Sequence, residues 1–198
     1  MGLNLNLIDG QTPLDEDEID GLLIPSISNR GELDEFEQQN IEEAVQWSIT
    51  RNIKPQTVLS ESFVKEVHKR MFNQVWRWAG DFRRTNKNLG VDKWQIATEL
   101  NKLLQDAMFW VENDTYPADE IAVRFKHRIV SIHSFANGNG RHSRLMADII
   151  VDKIYKKPVF NWGAGNLIKN GDVRTRYLKA FKAADNGDYA MLLNFARS

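Results

Sequence analysis

Cysteine is absent from the 198-residue chain. Without thiols the protein has no disulfide, no thiolate zinc site and no cysteine nucleophile, and this composition is consistent with a reducing compartment. The first ten residues lack the basic start and apolar stretch of a secretory signal, and no apolar run is long enough to cross a bilayer. We therefore expect a cytoplasmic protein that does not enter the membrane.

An excess of either charge is also missing. Lys and Arg together number 26 and Asp and Glu together number 27, which gives a formal net charge of -1. Because nucleic acids and anionic membranes attract strongly basic surfaces, we expect no direct binding to either. The acidic stretch at residues 13–20 is interpreted as a solvated helix start.

Residues that interrupt helices are few, with 5 prolines and 12 glycines in the chain. Between them, apolar residues recur with the helical period. This pattern covers 33–50, 60–76, 96–113, 117–135, 141–155, 172–188 and 189–198. The sequence therefore predicts an all-α fold in which residues 34–198 form a single domain and residues 1–33 an N-terminal extension.

One stretch does not follow the helical period. Residues 78–95, WAGDFRRTNKNLGVDKWQ, are rich in polar and glycine turn signals and have residues of high β propensity at their ends. We predict an exposed excursion near residues 81–94, formed either as an irregular loop or as a small β-hairpin.

The stretch HSFANGNGRHSR, residues 133–144, combines groups that suit phosphate chemistry. His133 ends an amphipathic helix, and its imidazole titrates near neutrality, so it can take a proton from a hydroxyl. Gly138 and Gly140 remove Cβ atoms where the backbone turns, and the next helix starts with unpaired N–H groups that attract anions. Arg141 and Arg144, three residues apart, lie on one helix face and can grip phosphate oxygens.

This combination favours a phosphate-transfer site over a metal site or an acyl-transfer site. The alternative is a glycine-rich turn between two helices, with Asn137 as the N-cap of the second helix and the arginines in solvent. No zinc-ligand spacing accompanies the motif. Among the other histidines, His127 is interpreted as structural, His142 as solvent-facing or at the rim of the site, and His68 as a helix-surface or packing residue.

The same stretch resembles the signature H-x-F-x-D/E-G-N-G-R-x-x-R of the Fic family, which has the Fido fold. Residues 78–83, WAGDFR, are similar to the family's W-A-G-x-x-R segment, and residues 174–196 resemble its closing helices. The N-terminal part together with the motif looks closest to the subgroup called mobile mystery protein B. The resemblance implies a mainly helical Fic/Fido fold with a small β-hairpin flap.

The resemblance also implies an activity. Fic proteins typically transfer AMP from ATP to a Tyr, Ser or Thr hydroxyl of a target protein, with Mg²⁺ or Mn²⁺. His133 would be the general base, Gly138 and Asn139 with Gly140 would bind the phosphates, and Arg141 with Arg144 would hold the leaving pyrophosphate.

Two further groups of residues follow from the resemblance. A flap would align the target backbone by strand pairing. It would comprise Arg84, Thr85, Asn86, Leu89, Gly90 and Val91. Tyr177, in the closing helices, is a candidate contact for the adenine.

One position departs from the family pattern, because the usual acidic Mg²⁺ ligand is Asn137 here. An amide oxygen carries no charge, and hard cations prefer carboxylates, so metal affinity and rate would fall unless Asp92 or Asp148 lay close. A catalytically weak nucleotide-binding or regulatory module is therefore one alternative. Another is a different phosphorus transfer on the same fold, although the Gly-Asn-Gly sequence argues against a kinase-like reaction.

An inhibitory segment is a further expectation from the resemblance. Many Fic proteins carry Ser/Thr-x-x-x-Glu-Gly/Asn, whose glutamate pairs with the second motif arginine. Ser28 and Glu32 match the first part of that pattern, and Glu32 would then meet Arg144. Alternatively, Glu32 belongs to the first turn of the next helix, where acids are favoured, and an antitoxin-like partner supplies the glutamate. The sequence leaves a homo-oligomer open.

Overall fold

A computed structural model describes residues 14–164 and 171–198 of the chain. The helices, in chain order, are α1 (Glu16–Ile19), α2 (Arg30–Thr50), α3 (Pro55–Val58), α4 (Glu61–Phe72), α5 (Ile96–Glu112), α6 (Ala118–Ile132), α7 (Asn139–Ile149), α8 (Asp172–Asp185) and α9 (Ala190–Arg197). Short 3-10 turns cover Lys93–Gln95 and Trp162–Ala164, and α7 continues as a π-helical turn over Ile150–Ile154. The predicted mainly helical fold is confirmed.

Local side-chain bonds explain where two of the long helices start. The Asn29 side chain accepts a hydrogen bond from the Glu32 backbone N–H at 3.1 Å and so caps α2. Ser60 caps α4 in the same way through the Phe63 N–H at 3.3 Å. In the described part of the chain, no helix is long and apolar enough to cross a membrane.

The core is built around α6 and α7. Helix α6 packs against α5, α7 and α9, while α2 packs on α4 and α4 packs on α7. Phe125 and Ile129 of α6 and Met146 and Ile149 of α7 are buried in this core. The connection between α6 and α7, residues 133–138, is therefore held between packed helices rather than exposed as a loop.

The excursion at residues 81–92 is an irregular loop, which is one of the two predicted alternatives. The other alternative, a β-hairpin, is not formed. Its backbone bonds to the α6–α7 connection instead of to itself. The Arg83 N–H donates to the Ser134 carbonyl at 3.0 Å, and the Val91 N–H donates to the Ile132 carbonyl at 3.2 Å. These bonds occupy groups that a hairpin ladder would need.

The acidic segment is a helix start with Glu16 and Asp17 exposed, as predicted, but Asp15 and Glu18 also hold this loop, which was not predicted. Lys87 Nζ lies 2.8 Å from an Asp15 carboxylate oxygen and also pairs with Glu18. The Thr85 hydroxyl donates to Asp15 at 2.5 Å. The Lys87 side chain is only 2% exposed and that of Glu18 is 11% exposed, so this pair is largely shielded from water, whereas the Asp15 side chain is 44% exposed. Residues 1–13 of the expected extension lie outside the described residues, and the division near residue 33 stays a prediction.

Candidate active site

A cavity of about 520 Å³ opens beside the α6–α7 connection. Four parts of the chain line it: the end of α6 and the start of α7, one side of α8, the tip of the 81–92 loop, and the start of α2. The lining residues are Arg30, Leu89, Gly90, Val130, Ser131, His133, Asn137, Gly138, Asn139, Gly140, Arg141, Arg144, Arg174, Tyr177, Leu178, Phe181 and Asp185. The structure therefore brings the predicted base, glycines, arginines and Tyr177 together in one cavity.

His133 occupies the first residue after α6 in the left-handed conformation, with φ 57° and ψ 57°. This conformation is strained for a residue other than glycine and persists only where neighbouring groups fix it. Arg83 fixes it here, because its Nε donates to the His133 carbonyl at 2.6 Å. Gly90 packs against the other side, where an added Cβ would lie 2.5 Å from His133 Cβ.

The His133 imidazole is neutral at physiological pH. Its Nδ1 lies 3.3 Å from the Val130 carbonyl oxygen, which places the ring proton on Nδ1 and the lone pair on Nε2. The pKa of His133 is lowered to about 4, mainly by burial; the hydrogen bond to Val130 opposes this shift, and the charges of Arg83 and Lys87 contribute to it. The residue is thus held in the form that accepts a proton.

The turn after His133 needs glycine at one position and leaves space at the other. Gly138 has φ 76°, and a Cβ there would lie 2.4 Å from the Phe72 ring. Gly140 is different, because a Cβ added to it would meet nothing within 4 Å. Since Gly140 lines the cavity, its missing side chain keeps the start of α7 accessible to a ligand.

The two asparagines of the motif are engaged within the protein. The Asn139 amide accepts from the Phe135 N–H at 3.0 Å and donates to the Phe135 carbonyl at 2.8 Å, so its side chain closes the turn. The Asn137 Oδ1 accepts from the Gly138 N–H at 2.7 Å. Asn137 is not the N-cap of α7, because that position belongs to Gly138. The phosphate contribution of Asn139 would therefore come from its backbone.

His68 holds the same turn from the opposite side and was not predicted as a site residue. It is fully buried and stacks on Phe135 with ring centroids 3.7 Å apart. The Gly80 N–H donates to His68 Nδ1 at 3.0 Å, so Nε2 carries the proton and donates to the Asn137 carbonyl at 3.0 Å. The packing interpretation is confirmed, and the helical period that places His68 beside Val67 and Met71 was the available signal.

Arg83 is the second residue that the sequence interpretation left out. Besides its bond to His133, its guanidinium donates to the Thr85 carbonyl at 2.7 Å and to the Val91 carbonyl. One side chain, 4% exposed, thus fixes the 81–92 loop and the candidate base together. The arginine of the W-A-G-x-x-R pattern was the signal that could have identified it.

Glu37 of α2 is the third. This fully buried carboxylate lies 2.6 Å from an Arg141 guanidinium nitrogen and accepts from the Trp76 indole N–H at 2.6 Å. The Arg141 guanidinium also lies over the Phe72 ring, 4.9 Å from its centroid. Glu37 of α2 therefore fixes the position of the Arg141 guanidinium at the cavity and offsets much of its positive charge.

Arg144 has a different environment. Among the residues whose structure is described, no carboxylate oxygen lies within the 4.0 Å of an ion pair with its guanidinium. Burial lowers the pKa of Arg144, and the neighbouring charge of Arg141 acts in the same direction. The cation is thus available for an anionic ligand in the cavity.

Neither aspartate that could have replaced the missing acid lines the cavity. Asp148 accepts from the Phe160 N–H and the Trp162 indole N–H, each at 3.1 Å. Asp92 accepts from the Asn86 amide at 2.8 Å and the Trp94 N–H at 2.9 Å. Among the described residues, no group of three or more His, Cys, Asp or Glu is placed to hold a metal ion. The residues near Asn137 therefore do not form a magnesium site by themselves.

The proposed inhibitory contact is not present in the structure. The Glu32 carboxylate accepts from the Ser28 N–H at 2.7 Å and from the Ser28 hydroxyl at 3.0 Å. These bonds hold the pKa of Glu32 below its usual value. Glu32 thus closes the start of α2, as in the alternative interpretation, and does not meet Arg144.

The remaining predicted residues divide as follows. His142 does not face solvent or the rim; it is 1% exposed and its Nε2 lies 3.0 Å from the Val64 carbonyl oxygen. His127 is structural, as predicted, with Nε2 2.8 Å from an Asp185 oxygen. Trp76 and Trp78, which precede the 81–92 loop, stack with ring centroids 4.9 Å apart.

The predicted flap residues do not share one environment. Leu89 and Gly90 line the cavity. Thr85 bonds to Asp15, and the Val91 N–H bonds to the Ile132 carbonyl. The Asn86 side chain accepts from the Lys93 N–H at 2.8 Å, and Arg84 stays outside the cavity lining. Alignment of a target by this loop stays a prediction.

The structure is thus a helical protein in which a buried histidine, a helix start and two arginines line one cavity. Residues 58–151 match the family model described as Fic/DOC family. These residues therefore form a Fic-family region of the chain, as the sequence predicted. Its assignment to the mobile mystery protein B subgroup stays a prediction.

Similar proteins agree with this family. The Drosophila grimshawi protein described as "Protein adenylyltransferase Fic" is 28% identical over 137 residues, which is 67% of this chain and 26% of that protein. The chain thus spans about a quarter of that relative's length.

Solved structures show the fold. A Bep effector of Bartonella quintana with bound ADP matches with a TM-score of 0.67 at 17% identity, over 87% of this chain and 86% of that one. BepC of Bartonella tribocorum with bound AMPPNP matches with a TM-score of 0.67 at 16% identity, over 92% and 97%. Fic-1 of C. elegans matches with a TM-score of 0.63 at 21% identity, over 90% and 50%.

Proposed function

We propose that the protein transfers AMP from ATP to a Tyr, Ser or Thr hydroxyl of a target protein. The observation that carries this proposal is the neutral, buried imidazole of His133 in the same cavity as the start of α7, Arg141 and Arg144. A nucleotide substrate is supported by the ADP and AMPPNP bound to the similar Bartonella structures. The similarity to the Drosophila grimshawi protein adenylyltransferase Fic supports adenylyl transfer.

The reaction would proceed by in-line displacement at the α-phosphorus. The target hydroxyl oxygen forms a bond to phosphorus, the bond to the pyrophosphate oxygen breaks, and the hydroxyl proton passes to Nε2 of His133. The first N–H groups of α7 and the Arg144 guanidinium stabilise the charge that develops on the phosphate oxygens. Arg83 and Gly90 contribute by holding His133 in its strained conformation.

Divalent metal would enter with the substrate. Mg²⁺ or Mn²⁺ neutralises the polyphosphate of ATP and leaves most of its coordination to phosphate oxygens and water. The only protein oxygen at the usual ligand position, Asn137 Oδ1, is neutral and bonded to the Gly138 N–H. No step is therefore assigned to a protein-held metal, and we expect weak metal dependence of nucleotide affinity.

A second function is favoured by two specific observations. Asn137 has replaced the usual acid, and Glu37 neutralises Arg141, which lowers the positive charge available to a triphosphate. A nucleotide-binding or regulatory module with little turnover would tolerate both features. In that case a target protein or an antitoxin-like regulator would bind the nucleotide-bound form. An acidic residue of that partner would pair with Arg144.

The two functions separate in a labelling experiment. The purified protein is incubated with a lysate, Mg²⁺ or Mn²⁺, and ATP labelled on either the α- or the γ-phosphate. Adenylyl transfer predicts label from the α position only, lost in His133→Ala and increased in Asn137→Asp.

The other results point elsewhere. Label from the γ position only would indicate kinase-like transfer and reject the proposal. Measurable ATP binding without any incorporation, also in Asn137→Asp, would establish the module. Thermal unfolding of each variant shows whether it has kept the fold.

A further inference from the structure

A buried lysine lies behind the cavity wall. Lys126 of α6 is fully buried, and its Nζ is hydrogen-bonded to the Tyr177 hydroxyl. The same Nζ lies 4.4 Å from the centroid of the Tyr177 ring and 4.7 Å from that of Phe181. Tyr177, Phe181 and Arg144 all line the cavity, so Lys126 is separated from it by one layer of side chains.

No described carboxylate compensates the charge of Lys126. Within residues 14–164 and 171–198, no carboxylate oxygen lies within the 4.0 Å of an ion pair with its Nζ. The group that acts on it from α7 is another cation, Arg144. From α8 come the Tyr177 hydroxyl and, on the side of Arg144, the charge of Arg174.

The other acids near α6 are already paired. Asp185 bonds to His127, the neighbour of Lys126 on its own helix. Asp106 of α5 pairs with Arg128, and Arg197 of α9 pairs with Asp119. Burial and Arg144 therefore lower the pKa of Lys126 well below its usual value, so the protonated amine is disfavoured while the cavity is empty.

Tyr177 connects this lysine to the cavity. When the Lys126 ammonium donates to the Tyr177 oxygen, the tyrosine proton is directed to another acceptor. The Tyr177 hydroxyl interacts electrostatically with Arg144, so an anion bound at Arg144 would receive that proton as a hydrogen bond. A buried amine next to a buried guanidinium is unfavourable without an anion, and a bound phosphate would supply the missing charge.

We propose that Lys126, Tyr177 and Arg144 form one subsite for the polyphosphate of the nucleotide, and that Lys126 takes up a proton from solvent when the polyphosphate binds. This inference rests on the proposed nucleotide substrate. Lys126 does not touch the ligand; it acts through the Tyr177 hydroxyl and through its charge. Nucleotide affinity consequently decreases as pH rises above neutrality, in a range where histidines and phosphates no longer titrate.

Isothermal titration calorimetry tests this directly. ATP, ADP and inorganic pyrophosphate, each with Mg²⁺, are titrated into the full chain at about pH 8.5, in Tris and in EPPS buffers that differ in heat of ionisation. All four histidines are neutral there, because their pKa values are lowered from the ordinary value of about 6.5. Asp148, whose pKa is about 7 and whose carboxylate interacts with Arg144, is the other group that could take up a proton there, so uptake is assigned to Lys126 only where Lys126→Met removes it.

The expected result is an uptake of up to about one proton per ligand in the unmodified protein, and none in Lys126→Met. The affinity of Lys126→Met falls about 10-fold at pH 7, as for loss of a hydrogen bond to a charged group. Tyr177→Phe loses most of the proton uptake because it removes the hydroxyl that connects Lys126 to the ligand. Lys102→Met is the matched control, since Lys102 is exposed on α5, and it keeps the uptake.

Two results overturn the assignment. Ligand binding without buffer-dependent heat at pH 8.5, or with the same uptake in Lys126→Met, removes Lys126 from the subsite and leaves nucleotidyl transfer standing. Absence of binding by ATP, ADP and pyrophosphate removes both the subsite and the proposed function. Thermal unfolding of each variant identifies a loss of binding that is due to a loss of fold.

Discussion

Replacement of Glu37 by alanine tests whether α2 sets the phosphate site. The change removes a fully buried carboxylate that lies 2.6 Å from both Arg141 and the Trp76 indole nitrogen. Loss of one partner of a buried pair costs about 3–5 kcal/mol. Because the Arg141 side chain is 15% exposed and can regain water, whereas Trp76 is fully buried, we expect the lower end, about 3 kcal/mol.

A double-mutant cycle isolates the pair. Glu37→Gln keeps an oxygen acceptor for Trp76 and loses only the charge, so it should cost about 1–2 kcal/mol less than alanine. Glu37→Ala combined with Arg141→Met should be less destabilising than the sum of the single changes by at least about 1 kcal/mol. Urea unfolding of the parent and the four variants gives these free energies. Additive values within about 0.5 kcal/mol would refute the idea that α2 acts through Arg141.

Four more outcomes follow from other parts of the structure. Gly138→Ala should lose about 2 kcal/mol or more of unfolding free energy because of its positive φ and the aromatic ring beside it. Gly140→Ala should keep the unfolding free energy of the parent and bind ATP more weakly. Equal unfolding free energies of the two variants would contradict this. Buried His142, with a pKa of about 4, contributes stability that is present above pH 6.5 and is lost as pH falls toward 4. Asp148, with a pKa of about 7, contributes stability that is present below pH 3.8 and is lost as pH rises through 7. In urea unfolding, Asp148→Asn should therefore be more stable than the parent at pH 8 but not at pH 5. Lys87→Met should speed cleavage of the 81–92 loop in limited proteolysis, and unchanged cleavage would show that the pairs with the α1 segment do not hold it.

The helical framework could be predicted from the sequence because periodicity is a local property. Apolar residues of α4, α5 and α6 repeat with the helical period, and Ser60 marks the start of α4. The residues of the motif are contiguous in the sequence, so their grouping around the turn between α6 and α7 could also be predicted from the sequence.

The contacts that position the motif could not be predicted in the same way. His68 meets Asn137, Arg83 meets His133 and Glu37 meets Arg141, and each pair is separated by 50 or more residues in the chain. Periodicity identifies the buried face of a helix but not the residue that the face will meet. The ion pairs of the acidic segment were not predicted for the same reason, since their cationic partner, Lys87, lies in a distant loop.

The prediction of a β-hairpin at residues 81–92 was wrong, and the contacts of the Arg83 side chain explain why. Residues 81–92 have turn signals that suit a hairpin, but the Arg83 guanidinium takes three backbone carbonyls that belong to the loop and to the α6–α7 connection. The family pattern marks this arginine without indicating its contacts.

The most direct test of the proposed function is the mass added to the hydroxyl of a modified target peptide. Lysate treated with the protein and ATP is digested and analysed by mass spectrometry, beside lysate treated with His133→Ala. Our account predicts Tyr, Ser or Thr peptides that carry the mass of AMP and that are absent with His133→Ala. Peptides that carry only a phosphate, or AMP adducts that persist with His133→Ala, would contradict it.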